Sequence, residues 1–189
     1  MSTGKAILFS APSGCGKTTI IKRLMQHFDC FDFSISATSR QPRTGESDGT
    51  DYYFMSADEF ERHVAADDFL EWEEVYEGTR YGTLKSEPLR IWGNGKVIVF
   101  DVDVNGGKNL KRYFGDNALS IFVRPPSVEV LEQRLRSRGT DSEESIARRL
   151  ERSARELDES GNFDVTIVND NLDDAVEEAR RTIEQFLKQ

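Results

Sequence analysis

Apolar positions along the chain follow two rhythms. Short continuous runs recur at residues 6–9, 97–100, 119–123 and 165–168, each suited to a strand buried on both faces. Between them the apolar residues keep to single helical faces, as with Ile20, Ile21, Leu24, Met25 and Phe28. Strands alternating with helices predict a parallel α/β sheet with helices on both faces. Residues 31–35 are a candidate further strand. From 34 to 83 the texture changes to SISATSRQPRTGESDGTDYYF, a short helix, then FLEWEEVYEGTRYGT. Ser56 and Glu59 have the spacing of a capping box, and residues 69–76 alternate as a strand with one wet side. This stretch predicts a small mixed insertion whose polar and aromatic density suits a ligand surface. No internal repeat, low-complexity segment or long linker interrupts the pattern.

The chain of 189 residues fits one domain able to bury roughly 70% of its unfolded surface. Its 37% hydrophobic and 31% charged residues are those of a soluble globular protein. Twenty-five basic against 34 acidic residues give a net charge of −9, which opposes non-specific binding to nucleic acid or anionic membranes. A polyanionic ligand must therefore be held by a local concentration of arginines. No apolar run approaches ~20 residues and no signal-peptide pattern opens the chain, so a cytoplasmic location is expected. A helix between Cys15 and Cys30 would separate them by roughly 15 Å, too far for a disulfide. Cys15 is expected to be a small filler.

The first apolar run leads straight into chemistry. KAILFSAPSGCGKT, residues 5–18, is a strand followed by a glycine-rich turn and the start of a helix. That order is the context of a phosphate-binding loop, in which backbone N–H groups and the helix N-terminus wrap a polyphosphate. The loop and helix start, Ala11, Pro12, Ser13, Gly14, Cys15, Gly16, Lys17, Thr18 and Thr19, are the candidate ATP site. Lys17 is placed to reach the outer phosphates and the Thr18 hydroxyl to hold Mg²⁺. The full pattern has glycine where this chain has Ala11, which is tolerable if the backbone there keeps φ negative. The apolar run at 97–100 ends in Asp101, a candidate acid for the Mg²⁺ shell, with Asp103 two residues on and Asn105-Gly106-Gly107 turning the chain into the next helix.

Residues 127–158 carry Arg134, Arg136, Arg138, Arg148, Arg149, Arg152 and Arg155 on two helical arms around Gly139. Interleaved glutamates at helical spacing predict a salt-bridged outer face for several of them. A glycine turn between arginine-bearing arms is also how a lid closes over phosphates. Asn171 then caps a final amphipathic helix reaching Leu187.

Taken together, APSGCGKTT, SATSRQPRTGE, DGTDYYF, FLEWEEVY, YGT, FDVDVNGG, RLRSRGTDSEESIARR and IVND resemble the guanylate kinases over about residues 7–174. The resemblance implies an α/β P-loop three-layer sandwich: a parallel core sheet with helices on both faces, a small mixed α+β GMP-binding insertion and a helical lid. The division is core 1–33, 95–126 and 159–189, insertion 34–94, and lid 127–158. It also implies transfer of the γ-phosphoryl of ATP to GMP with Mg²⁺. Arg40, Arg43, Tyr52 and Tyr81 match the residues that hold the GMP phosphate, and guanidinium forks suit phosphate oxygens. Glu71 matches the residue that reads the base, since a carboxylate can accept from guanine N1–H and the 2-amino group together. Ser36 and Thr83 match hydroxyls beside the base, and Asp103 joins the GMP site. Arg134, Arg138 and Arg149 match the lid positions that, with Lys17, clamp the transferring phosphoryl. Arg148 and Arg152 do not match and are read as surface charge. Asn169 matches a position near the adenine of ATP.

No catalytic base is required, because a phosphate monoester with a second pKa near ~6 is already a dianionic nucleophile at neutral pH. The expected partners are GMP and ATP, with no nucleic acid or membrane, and the chain acting as a monomer or homodimer. The alternatives are a P-loop kinase for another nucleoside monophosphate, which Glu71, Ser36 and Thr83 oppose, and a non-catalytic guanylate-kinase-like binding module, which intact Lys17, Thr18 and lid arginines oppose.

Overall fold

The computed structural model of the chain describes residues 4–76, 78–137 and 142–189. Five strands form the central sheet: β1 (Ala6–Ser10), β2 (Phe31–Phe33), β7 (Val97–Val102), β8 (Ala118–Arg124) and β9 (Val165–Val168). Their order is β2-β7-β1-β8-β9, and every neighbouring pair is parallel. All five residues of β1 are buried, which is why the run reads as continuously apolar. Alternate side chains serve opposite faces. Ile7 and Phe9 pack with α1 (Lys17–His27) and α7 (Leu172–Leu187) through Ile20, Leu24, Ala179 and Ile183. Ala6 and Leu8 pack on the other face with Ile91 of α3 (Ser86–Gly93) and Leu110 and Phe114 of α4 (Val104–Phe114). The result is the expected three-layer α/β sandwich.

The stretch between β2 and α3 folds as a second sheet of order β4-β3-β6-β5, from β3 (Ala37–Thr38), β4 (Tyr53–Phe54), β5 (Phe69–Tyr76) and β6 (Thr79–Leu84). It is mixed, with β3 parallel to β4 and antiparallel to β6. Across it lies α2 (Ala57–Ala65), whose Ser56 side chain accepts from Glu59 N while Glu59 reaches back to Ser56 N. Phe60 stacks on Phe69 at 4.5 Å in a small core of its own. The arginine-bearing arms are α5 (Val128–Ser137) and α6 (Glu143–Asp158). Asn171 caps α7 as expected, accepting from Asp173 N and Asp174 N.

One local expectation is corrected. Gly106 and Gly107 do not turn the chain but lie inside α4, which starts at Val104 with Asp103 as its N-cap. Their role is close approach: a Cβ on Gly107 would lie 2.3 Å from Ser10 Oγ, and one on Gly106 3.0 Å from Glu71 Oε2. No helix among the described residues is long and apolar enough to cross a membrane.

The separate core of the insertion generates a prediction. Phe60 is fully buried at the centre of this core, with Ala37 and Phe69 buried beside it and Tyr53, Met55, Val64 and Leu84 packed around them. Phe60→Ala is expected to cost about 3 kcal/mol or more, read from urea unfolding; a cost below about 1 kcal/mol would show that this core contributes little.

Candidate functional site

The C-terminal ends of β1 and β7, two interior strands of the central sheet, meet the N-terminus of α1. Residues 11–16 connect β1 to α1, with Gly14 at φ 96° and Gly16 at φ 87°, a region where any other residue is strained. Space forbids side chains there as well: a Cβ on Gly16 would lie 2.3 Å from Asn169 Nδ2. Among the described residues the sole non-glycine with positive φ is Asp67, so Ala11 keeps the negative φ its side chain needs. Gly16 caps α1 without a side-chain acceptor, and the first turn has no acidic residue. Its leading N–H groups and the positive end of its dipole therefore face an anion site.

Parallel register sets Phe9 of β1 against Asp101 of β7, and Asp101 reaches the loop. Lys17 Nζ sits 2.7 Å from Asp101 Oδ1 and also donates to the Val102 carbonyl. The Thr18 hydroxyl donates to Asp101 Oδ2 at 3.1 Å. Cys15 is buried beneath the loop, and burial pushes its thiol up to about 12, against the nearby charges of Arg134 and Lys17. It is therefore a filler with little thiolate character, and both cysteines are free.

Across the cleft stands Glu71 on β5. Thr83 Oγ1, fully buried on the neighbouring β6, donates to Glu71 Oε1 at 2.7 Å. Burial raises the Glu71 carboxyl to about 7, with Asp103 and Glu73 adding to the effect and the Thr83 hydrogen bond opposing it. Asp103 accepts from Gly106 N at 2.8 Å as the cap of α4.

Farther out, Arg40 is held on every side. Its Nε donates to Tyr81 Oη at 3.2 Å, its fork meets Glu46 at 2.7 and 2.9 Å, and its guanidinium lies 5.2 Å from the Tyr52 ring centre. The Arg40 guanidinium holds the Glu46 carboxyl well below the usual carboxylate range. Arg43 joins the same turn through its backbone, which donates to Glu46, while the residue itself is exposed.

The lid reaches the loop through Arg149, whose Nη1 lies 3.3 Å from Ser13 Oγ. Arg134 donates to the Asn169 carbonyl at 2.9 Å, while its buried Nη1 has no hydrogen-bond partner among the described residues. The Asn169 side chain is buried behind the loop, donating to the Cys15 carbonyl at 2.8 Å. Arg138 lies outside the described residues. The outer lid arginines behave as the interleaved charges foretell: Arg136 pairs with Glu132, Arg148 with Glu144 and Arg155 with Glu151.

These pieces enclose a cleft of about 400 Å³, of a size for a nucleotide. It gathers residues 11–19 with Ser36, Tyr52, Glu71, Tyr81, Asp101, Asp103 and Arg149. Arg40 and Thr83 stand directly behind its wall, whereas Arg43, Arg134 and Asn169 do not line it. Arg152, expected at the surface, is corrected to the cleft, where its Nη2 lies 3.7 Å from Asp103 and its Nε bonds Glu156 at 2.6 Å. Ser153 and Glu156 line the cleft with it. Arg149, Arg152, Ser153 and Glu156 are spaced i, i+3, i+4 and i+7, so they share one helical face, a spacing by which Arg152 could have been grouped with Arg149. Glu46 had no such signal, because its value depends on where Arg40 points.

A family model described as guanylate kinase matches residues 3–186. A protein named guanylate kinase from Porphyromonas gingivalis is 50% identical over 184 residues, covering 97% of this chain and 98% of the relative. Another of that name from Chlorobaculum tepidum is 45% identical over 189 residues, covering 100% of this chain and 96% of the relative. The crystal structure of guanylate kinase from Anaplasma phagocytophilum superposes with a TM-score of 0.77 at 27% identity, covering 97% of this chain and 86% of that one.

The raised Glu71 carboxyl predicts a pH-dependent cost. An acid whose folded value of about 7 exceeds its ordinary 4.5 supports the fold fully below 4.5 and loses that support as pH rises through 7. Glu71→Gln, which retains an acceptor for Thr83, should therefore be stabilised relative to the native chain at pH 8 and less so at pH 5. The ceiling is ~3 kcal/mol at about 1.4 kcal/mol per unit. Thermal melts at the two pH values check this; an equal difference at both would remove the ionisation account.

Proposed function

The chain belongs to the guanylate kinase family, and on that premise we propose that it transfers the γ-phosphoryl of ATP to GMP, giving ADP and GDP in purine nucleotide metabolism in the cytoplasm. The observation that carries the proposal is a half-buried carboxylate, Glu71, facing a phosphate loop across one cleft.

Each residue has a physical task. Glu71 accepts from guanine N1–H and the 2-amino group, and its raised carboxyl is drawn into the ionised form by those two donors. Adenine offers an acceptor at N1 and would leave Glu71 unsatisfied, a mismatch able to discriminate by about 10⁴-fold. Thr83 orients Glu71 from behind. Ser36 stands beside the base, and Asp103 borders the same pocket. Arg40, fixed by Glu46 and Tyr81, holds the GMP phosphate with Arg43, Tyr52 and Tyr81.

On the other side, the backbone of residues 11–19 wraps the ATP phosphates. Lys17 exchanges its contacts with Asp101 and Val102 for the outer phosphate oxygens. Arg149 is already against the loop at Ser13, and the buried, unpartnered Nη1 of Arg134 suits an anion. Arg138, outside the described residues, is assigned to the same clamp by the family resemblance alone. Asn169 steadies the loop through the Cys15 carbonyl on the way to the adenine end.

A hydroxyl and a carboxylate 3.1 Å apart, Thr18 and Asp101, are hard oxygen donors that fit Mg²⁺, which keeps most of its shell as water and phosphate. Held by Thr18 and Asp101, Mg²⁺ would supply positive charge against the phosphates. The chain's own contribution is in-line positioning and charge neutralisation, the dominant factors in phosphoryl transfer. No side chain has to take a proton, since the attacking phosphate is already a dianion.

ADP release measured against a panel of nucleoside monophosphates should single out GMP. Glu71→Gln is expected to raise KM for GMP by about 100-fold or more with KM for ATP near normal; unchanged GMP kinetics would remove the assignment. Lys17→Ala should lower kcat by about 10³-fold. Full turnover by that variant would remove Lys17 from the phosphoryl-transfer machinery, whereas no turnover by the native chain would favour the non-catalytic reading of this fold.

A further inference from the structure

Among the described residues, Glu87 is the most completely enclosed carboxylate outside the cleft, only 1% exposed, and the phosphoryl-transfer chemistry above gives it no task. It sits in the first turn of α3 and accepts four hydrogen bonds. Oε1 receives Tyr53 Oη and Arg90 Nε, each at 3.0 Å. Oε2 receives the backbone N–H of Ile35 at 2.7 Å and Arg90 Nη2 at 2.9 Å. A carboxylate in ionised form accepts all four; no neutral side chain of that size does. A buried charge persists only when paired in this way.

The partners give the arrangement its meaning. Ile35 immediately precedes Ser36, and Tyr53 immediately follows Tyr52, and both Ser36 and Tyr52 line the cleft. Tyr53 N also donates to the Ser36 carbonyl at 2.9 Å, closing a ring of contacts through Glu87. Behind this ring the anchor is firm. Ile91 of α3 is buried against Leu8, Ile98 and Phe100 of the central sheet. Arg90 ties back to Asp32 Oδ2 at 3.1 Å and the Phe33 carbonyl at 2.9 Å on β2. Ser34 N is pinned to the Val99 carbonyl at 2.9 Å. One carboxylate thus fixes, relative to the sheet that carries the phosphate loop, the two separate segments bearing Ser36 and Tyr52.

We propose that Glu87, with Arg90 and Tyr53, is a positioning residue for the nucleoside monophosphate: it sets the base-facing hydroxyl of Ser36 and the phosphate-facing ring of Tyr52 at a fixed distance from the phosphate loop without touching either substrate. This rests on the reading of that side of the cleft as the GMP site. Because the carboxylate grips only the monophosphate side, its loss separates the two substrates. Bulk destabilisation would affect both together.

The test is steady-state kinetics with GMP and ATP varied independently, alongside thermal melts. In Glu87→Gln the amide nitrogen faces donors, and KM for GMP should rise about tenfold with KM for ATP within about twofold, the usual size of a small misplacement of binding groups. Tyr53→Phe removes one hydrogen bond and keeps the ring, so KM for GMP should rise about threefold with the melting temperature little changed. The double variant should be no worse than Glu87→Gln alone, since both act along one path. Unchanged KM for GMP in the folded variants overturns the proposal, as does a joint rise of both KM values in step with a falling melting temperature. If Glu87→Gln does not fold, Tyr53→Phe decides by the same criterion. A native control that consumes no ATP with GMP would instead overturn the reading of the site, so the two failures are distinct.

Discussion

Lys17 and Asp101 stand 2.7 Å apart because β1 and β7 run side by side in parallel, with Phe9 beside Asp101. The rest of the site depends on that register. A slip of one residue would turn Asp101 to the other face of the sheet and leave the loop without its acid. In a chain of net charge −9, two polyanions can meet only where fixed positive charge and backbone N–H groups outweigh the background. The lysine and carboxylate hold one another in place, and the hydroxyl of Thr18 shares the same carboxylate; in the proposed reaction phosphates compete for the lysine. The C-terminal ends of these two strands therefore supply a compact set of charges whose partners can change without backbone movement.

Selectivity is built on the opposite physical footing. Glu71 is placed where ionisation is disfavoured, hemmed by Gly106 at the start of α4 and backed by Thr83. Burial makes the carboxylate costly when the site is empty and strongly attractive to a pair of donors when it is filled. The glycines in α4 belong to this scheme. Without side chains at 106 and 107, the helix sits where a Cβ would lie 3.0 Å from Glu71 Oε2 and 2.3 Å from Ser10 Oγ, a closeness that glycine accommodates without displacing either side chain. On the proposed reading of Glu71, local stability is traded for recognition of the base.

Held charges recur around the cleft. Arg40 is fixed by Glu46 and Tyr81, Arg152 by Glu156 and Asp103, and Arg90 by Glu87 and Asp32. A guanidinium held by several partners keeps its fork planar and aimed, so less conformational freedom is lost when a ligand arrives. On the outer side of the lid, arginines pair with glutamates one turn away and face solvent, where such pairs contribute little. The same residue type thus does two jobs on one helix, divided by the face it occupies.

The sequence by itself determined the parallel sheet, the loop at 11–16 and the acid at the end of β7, because each rests on local spacing: a buried apolar run, glycines where φ is positive, and a helix opening on Lys17 and Thr18. It also marked Glu71, Tyr52 and Tyr81 through motif order. What it did not settle depended on contacts between distant segments. Gly106 and Gly107 read as a turn, yet the neighbours that exclude a side chain there, Ser10 and Glu71, come from other strands. Arg152 read as surface charge until α6 was laid against Asp103. Asn169 matched a position near the base of ATP, but only the packing of β9 beside β8 puts its amide on the Cys15 carbonyl. Glu87 showed locally only its one-turn spacing to Arg90, since its other two donors, Ile35 N and Tyr53 Oη, come from segments that meet it only in the folded chain. Backbone geometry and periodicity are written in neighbours along the chain; the partners of a buried charge are written in neighbours across it, and tertiary structure alone chooses those.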